Sequence, residues 1–151
     1  MVLVDYLETQ EPLIVFIRVR ILDDTDMMDL LDNVYHGWAK KDADFPYIGF
    51  RIDNDYDGAD EGYIASGTLY TDIWDYNQLP RRAFHIRGHL IRLFDKLKVG
   101  ISGISCARFS LQGFNDVPED TENIIHHAGQ WNIRYDRKLE LEQIMGVSNN
   151  E

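Results

Sequence analysis

Gly67-Thr68-Leu69-Tyr70-Thr71-Asp72-Ile73-Trp74 is the stretch on which the fold turns. Ala65, Gly67, Leu69, Thr71 and Ile73 fall on one parity, and Ile64, Ser66, Thr68, Tyr70, Asp72 and Trp74 on the other. A period of two rich in β-branched and aromatic residues predicts a strand with two different faces. Upstream, Phe45-Pro46-Tyr47-Ile48-Gly49-Phe50 reads as a partner strand, with Ile48, Phe50 and Ile52 alternating on one face. The Asp-rich segment 53–62 separates the two strands, and a hairpin is the simplest connection. Downstream, Asn77 or Gln78 is a helix cap and Pro80 suits a first turn. Ala83, Ile86, Leu90, Leu93 and Leu97 then step by three and four, which predicts an amphipathic helix from about Pro80 to Lys98.

Farther out the pattern continues in both directions. Gly100 and Gly103 punctuate the helix exit, and a third strand is predicted over 104–114. A fourth is predicted over 130–141, where Trp131, Ile133, Tyr135, Leu139 and Leu141 share a parity. About 15 residues, 115–129, connect them, a length that usually marks a functional loop. Near the start, Asp23-Asp24-Thr25-Asp26 offers N-caps for a short helix through Met27, Met28, Leu30 and Leu31. Residues 13–22 fit two descriptions. Ile17, Val19 and Ile21 alternate with Arg18 and Arg20 as in a strand, whereas Leu13, Ile14, Ile17 and Ile21 mark one helical face behind Pro12.

The chain has 151 residues, 44% of them hydrophobic, enough for one folded domain with a sizeable core. Residues 1–141 are read as that domain and 142–151 as a flexible C-terminal tail. No apolar run approaches the roughly 20 residues that span a bilayer, and no membrane partner is expected. The single cysteine, Cys106, leaves no disulfide framework; its place in an apolar alternation predicts burial. With no basic n-region at the start, the chain is expected to be made in a reducing cytoplasm.

The formal net charge of −11 is unevenly spread. Between residues 81 and 98 six cations face one acid, a local balance of +5 that leaves −16 for the rest. Such a body repels duplex DNA in general, because affinity there comes from cations that displace counterions. A basic helix on an acidic body suits head-to-tail self-association, with a merely solvated helix face as the plain alternative.

No catalytic apparatus emerges, and neither a metal nor another cofactor is expected. Asp53-Asn54-Asp55-Tyr56-Asp57-Gly58 matches the first half of a calcium loop, but its twelfth position is Ile64 where a bidentate Glu belongs. Turn chemistry by Asp, Asn and Gly explains the segment better. His85 and His89 share a helical face at the spacing two imidazoles need, without the Glu of an H-E-x-x-H pattern. His126 and His127 fall in the predicted 115–129 loop. The remaining carboxylates single out no acid–base pair.

Three short phrases in order carry a resemblance: Asn33-Val34-Tyr35-His36-Gly37, Phe45-Pro46-Tyr47-Ile48 and Tyr70-Thr71-Asp72-Ile73-Trp74. With the helix and two strands that follow, the layout over residues 12–141 resembles the tail-terminator or tail-completion (head–tail joining) proteins of long-tailed bacteriophages and related tailed viruses. His36 departs from the proline common at that place in the family. The resemblance implies an α+β fold, a single domain with a largely antiparallel four-stranded sheet and helices packed on one face. It also tips residues 13–22 to helix.

The role it implies is structural. The chain would form a ring, a hexamer in the family, that caps the tail tube at its head-proximal end and stops its polymerisation. The ring would also provide the docking surface for the head-completion or stopper protein. Its place would be the virion, and DNA would pass through the lumen only as cargo. Candidate contacts are Arg82, Arg87 and Arg92 on the basic helix, Asp53, Asp55 and Asp57 in one acidic loop, and Glu119 and Asp120 in the other. The competing expectation is a small acidic inhibitor, of anti-restriction or toxin-immunity type, that covers a basic protein surface.

Overall fold

The computed structural model describes residues 10–55, 64–101 and 104–136. Among these, one sheet of six strands carries three helices. In chain order the elements are α1 (Gln10–Leu22), α2 (Thr25–Met28), β1 (Asn33–His36), β2 (Tyr47–Asp55), β3 (Ile64–Tyr76), α3 (Arg81–Phe94), β4 (Lys98–Ile101), β5 (Ile104–Asp116) and β6 (Ile124–Asp136). The strand order across the sheet is β1-β2-β3-β6-β5-β4. All neighbours are antiparallel except β1, which runs parallel to β2.

The expected four antiparallel strands are therefore present at the centre, and the sheet is wider and mixed. Each missed edge strand has a physical cause. β1 is four residues long, too short to display an alternation, and it lies within the Asn33–Gly37 phrase. β4 is also four residues long and begins where the expected helix ends, in the segment read as its glycine-punctuated exit. The helix stops at Phe94 because Asp95 is extended, with ψ 128°, and Lys96 takes a left-handed φ of 61°. Leu97 is thus outside the helix, although it still packs against the core. At the front of α3 Pro80 itself holds the cap position, and Asn77 Oδ1 accepts only a weak bond from Leu79 N–H, at 3.4 Å.

Residues 13–22 form a helix, and the choice between periods is visible in its burial. Leu13, Ile17 and Ile21 are buried at four-residue spacing, whereas Val15 and Val19, which a strand would have paired with Ile17 and Ile21, stay exposed. Arg20 secures the helix across the core edge: its Nε donates to Leu93 O at 2.8 Å, and its guanidinium lies over Phe16 and Phe94. Asp24 caps α2, accepting from Met27 N–H at 2.8 Å. Burial works to raise the Asp24 carboxyl, but this bond and Arg92 outweigh it and hold the group below its ordinary range.

One sheet face supplies Ile48, Phe50 and Ile52 from β2, Leu69 and Ile73 from β3, and Trp131, Ile133 and Tyr135 from β6. Ala83, Ile86, Leu90, Leu93 and Phe94 of α3 and the buried row of α1 complete the core. The result is a two-layer α+β domain whose second sheet face carries no helix among the described residues.

β5 and β6 are each 13 residues long, so their connection is 117–123, shorter than the 115–129 expected from sequence. His126 and His127 consequently stand on β6 and not in a loop. β5 contains a bulge between Leu111 and Gly113, and Asp95 Oδ1 accepts the Leu111 N–H at 3.1 Å beside it. Cys106 is partly exposed, contrary to the expected burial, because its parity points it away from the helices. The expected extension of the fourth strand to 141, the tail 142–151 and residues 56–63 lie outside the described residues.

Candidate interaction surface

The three arginines expected to face a neighbour all have partners within the chain. Arg82 forks onto Asp75, whose side chain is fully buried; its Nε lies 3.0 Å from Oδ2 and its Nη2 contacts Oδ1. The hydrogen bond to Asp75 raises the guanidinium pKa above its ordinary value, against a smaller opposing effect of burial. Arg87 lies over the Phe114 ring at 4.6 Å and approaches Asp116 at 3.7 Å. Arg92 meets Asp24 at 2.8 Å and also His89 Nδ1 at 3.0 Å. The basic helix is bound to the body of its own chain at three points.

The acidic candidates are scattered. Asp53 stands exposed on β2 beside Arg51, with 3.1 Å between them, and Asp55 ends that strand. Asp57 is outside the described residues. Glu119 accepts from His126 Nδ1 at 2.8 Å, and Asp120 is exposed in the 117–123 connection. Among the described residues, Asp53 is not brought together with Glu119 and Asp120. His85 and His89 gather no further ligands; among the described residues no group of three or more His, Cys, Asp or Glu side chains could hold a metal ion.

The open sheet face carries a feature that sequence reasoning missed. Register places Tyr47 opposite Trp74 and Trp74 opposite His126, a row across three strands. The Trp74 and His126 rings stack with centroids 3.7 Å apart and 15° between planes, and Tyr47 stacks on Trp74 at 6.4 Å. Tyr35 meets the Tyr47 ring edge-on at 5.6 Å, while Phe45 lies between Tyr47 and Tyr76. Burial is the main cause that raises the Tyr47 hydroxyl pKa above its ordinary value, reinforced by Tyr35 and Asp72. Trp38, 96% exposed, and Leu79, 66% exposed, add free apolar surface elsewhere.

His126 joins this row to the 117–123 connection. Its Nε2 is 2.7 Å from Asp72 Oδ1 and its Nδ1 is 2.8 Å from Glu119 Oε1. A neutral imidazole donates from one nitrogen only, so two carboxylate contacts describe the imidazolium. Burial lowers its pKa, and the bonds to Asp72 and Glu119 more than reverse that, leaving it above 6.5. His127, next in sequence, points to the other face. It is buried beside Phe84 with Nδ1 unpartnered and Nε2 3.3 Å from Asp116, and burial pushes its pKa below 6.5. Alternation along one strand thus sets one imidazole between two carboxylates and buries the next against Phe84.

No family model matches the sequence, and no curated protein matches it. Among solved structures, the chain is similar to one from the "Virion of native gene transfer agent (GTA) particle". The likeness has a TM-score of 0.67 at 10% identity, over 78% of this chain and 90% of that one. At that identity the two share a fold.

Proposed function

We propose that this chain is a structural protein of a tailed virion, working as a ring that caps the tail tube and receives the head-completion complex. The observation that carries this reading is the fold shared with nearly the whole of a virion chain, over most of the present chain. The ordered phrases from Asn33 to Trp74 agree with it independently of the fold comparison. The surface supports it as well: the described residues present an aromatic, unroofed sheet face and exposed Trp38. Surfaces of that kind serve as interaction sites. The mechanism is binding alone, in which loops and sheet edges complement the adjoining rings while DNA passes as cargo.

The test is mass measurement and negative-stain imaging of the purified protein, alone and with the tail-tube protein of the same virus. A ring, or a plug at one tube end that halts growth, is the expected result. A chain that never associates and leaves tube length unchanged would remove the capping role, and capture of a basic host protein would then favour the inhibitor.

A further inference from the structure

The open sheet face ends, opposite its aromatic row, in three aligned cations. Lys98 on β4 pairs with Arg108 on β5, and Arg108 pairs with Arg134 on β6. All three are exposed, and none has a carboxylate partner among the described residues. Neighbouring strands are about 4.8 Å apart, so like charges in directly opposed positions repel and disfavour the fold. Arg51 on the same face shows the contrast, since it has Asp53 beside it and Tyr70 beneath it at 3.9 Å. In a protein of formal charge −11, a basic row with no carboxylate partner among the described residues is a local exception.

A complementary group stands at the far end of the same hairpin. In the 117–123 connection Asp120 and Glu122 are exposed and unpartnered among the described residues, while Glu119 is tied to His126. That tie holds the connection against the edge of the open face, because His126 also binds Asp72 there. Arg134 and Ile124 are ten residues apart on β6, roughly 33 Å at the usual rise. The basic row and the acidic turn are therefore too far apart to neutralise each other within one chain.

We infer that the row Lys98–Arg108–Arg134 receives the Asp120–Glu122 turn of a second copy of this chain, in a head-to-tail contact. Two different patches then meet at each junction, the arrangement that closes into a ring when the rotation between copies allows. This rests on the ring reading above and relocates its charge contact from α3 to the two ends of the β5–β6 hairpin. Nucleic acid is the rival anion, disfavoured because three cations on a strongly acidic body gain little counterion release.

The test uses two double variants of the full chain, Arg108→Glu with Arg134→Glu, and Asp120→Lys with Glu122→Lys, each checked for folding by circular dichroism. Sedimentation at low salt should show wild-type association that fades in high salt. Each variant alone should associate about tenfold more weakly, the scale of two lost rim pairs. An equimolar mixture should recover the association, because each variant keeps the patch that fits the other. A carbodiimide cross-link between Lys98 and Asp120 or Glu122 of another copy should appear in the wild type and in the mixture, and fade in each variant alone. Arg108→Gln with Arg134→Gln serves if a reversal unfolds the chain.

Wild-type association untouched by either reversal would overturn this contact and leave the ring reading standing. A wild type that stays monomeric at every concentration would overturn it too, with tube capping still judged by its own assay. Duplex DNA binding that only the arginine reversals abolish would assign the row to nucleic acid instead.

Discussion

Replacing Arg82 by Gln isolates what the buried ion pair contributes. Asp75 is wholly enclosed, and Arg82 supplies two donors to it from α3, while Tyr76 N–H supplies a third bond at 2.8 Å. Removing one member of a buried pair typically costs about 3–5 kcal/mol, since the remaining charge has lost its partner. The Arg82 side chain is 37% exposed, so water can reach the vacated position, and a loss near 3 kcal/mol is expected. With a urea slope of about 2 kcal/mol/M, the unfolding midpoint should fall by about 1.5 M. Arg92→Gln is the comparator, because Arg92 is 51% exposed and its pair with Asp24 lies at the surface. That change should cost less than about 1 kcal/mol. Adding Asp75→Asn to Arg82→Gln should recover part of the loss by removing the orphaned charge. Equal midpoints for the two single variants, or no recovery in the double, would refute the argument.

His126 contributes stability through its charged form, since its folded pKa lies above 6.5. Its contribution is complete below the unfolded value of about 6.5 and is lost as pH rises through the folded value. The stability gap between wild type and His126→Gln, measured by urea unfolding across pH, should therefore narrow on the alkaline side; a gap independent of pH contradicts the clamp. For His127 the sign is opposite: its folded pKa is depressed, so its contribution is present above about 6.5 and lost as pH falls, which a His127→Gln series should show. Gly129→Ala puts a Cβ 2.5 Å from Phe114 Cε1 and 2.6 Å from Thr71 Oγ1. Overpacking of that kind costs about 2 kcal/mol, or roughly 4–8 °C in Tm; an unchanged Tm contradicts the close contact. Thr71→Val leaves the buried Trp131 Nε1–H, now bonded to Thr71 Oγ1 at 3.0 Å, without an acceptor. A loss of about 1–3 kcal/mol is expected, with Thr71→Ser restoring most of it.

Long segments with a clear period were readable from sequence. Ile48, Phe50 and Ile52, Leu69, Thr71 and Ile73 of β3, and the Ala83–Leu93 stripe all fall on the buried side. Short or interrupted elements were not. β1 and β4 have four residues each, and the left-handed Lys96 ends α3 without a Gly or Pro to announce it. Residues 13–22 satisfy both periods locally, and the packing of Leu13, Ile17 and Ile21 decides between them. Among the candidate contacts, charge was legible and its destination was not. Whether Arg82 meets solvent or Asp75 depends on how α3 lies against β3, which no local pattern encodes. The aromatic row and the basic row are likewise products of register, which aligns Tyr47, Trp74 and His126 from three strands far apart in the chain.

The bulge in β5 has a consequence for how this hairpin can change length. Leu111 and Phe114 both face the core although three positions separate them, because residue 112 is accommodated without a place in the ladder. Deleting Gln112 would leave a regular ladder with every side chain on its present face. Deleting a residue elsewhere within either strand would turn part of the hairpin over, exchanging its wet and dry sides. Insertions and losses in related chains should therefore concentrate at this one position. The strand carries its own slack there.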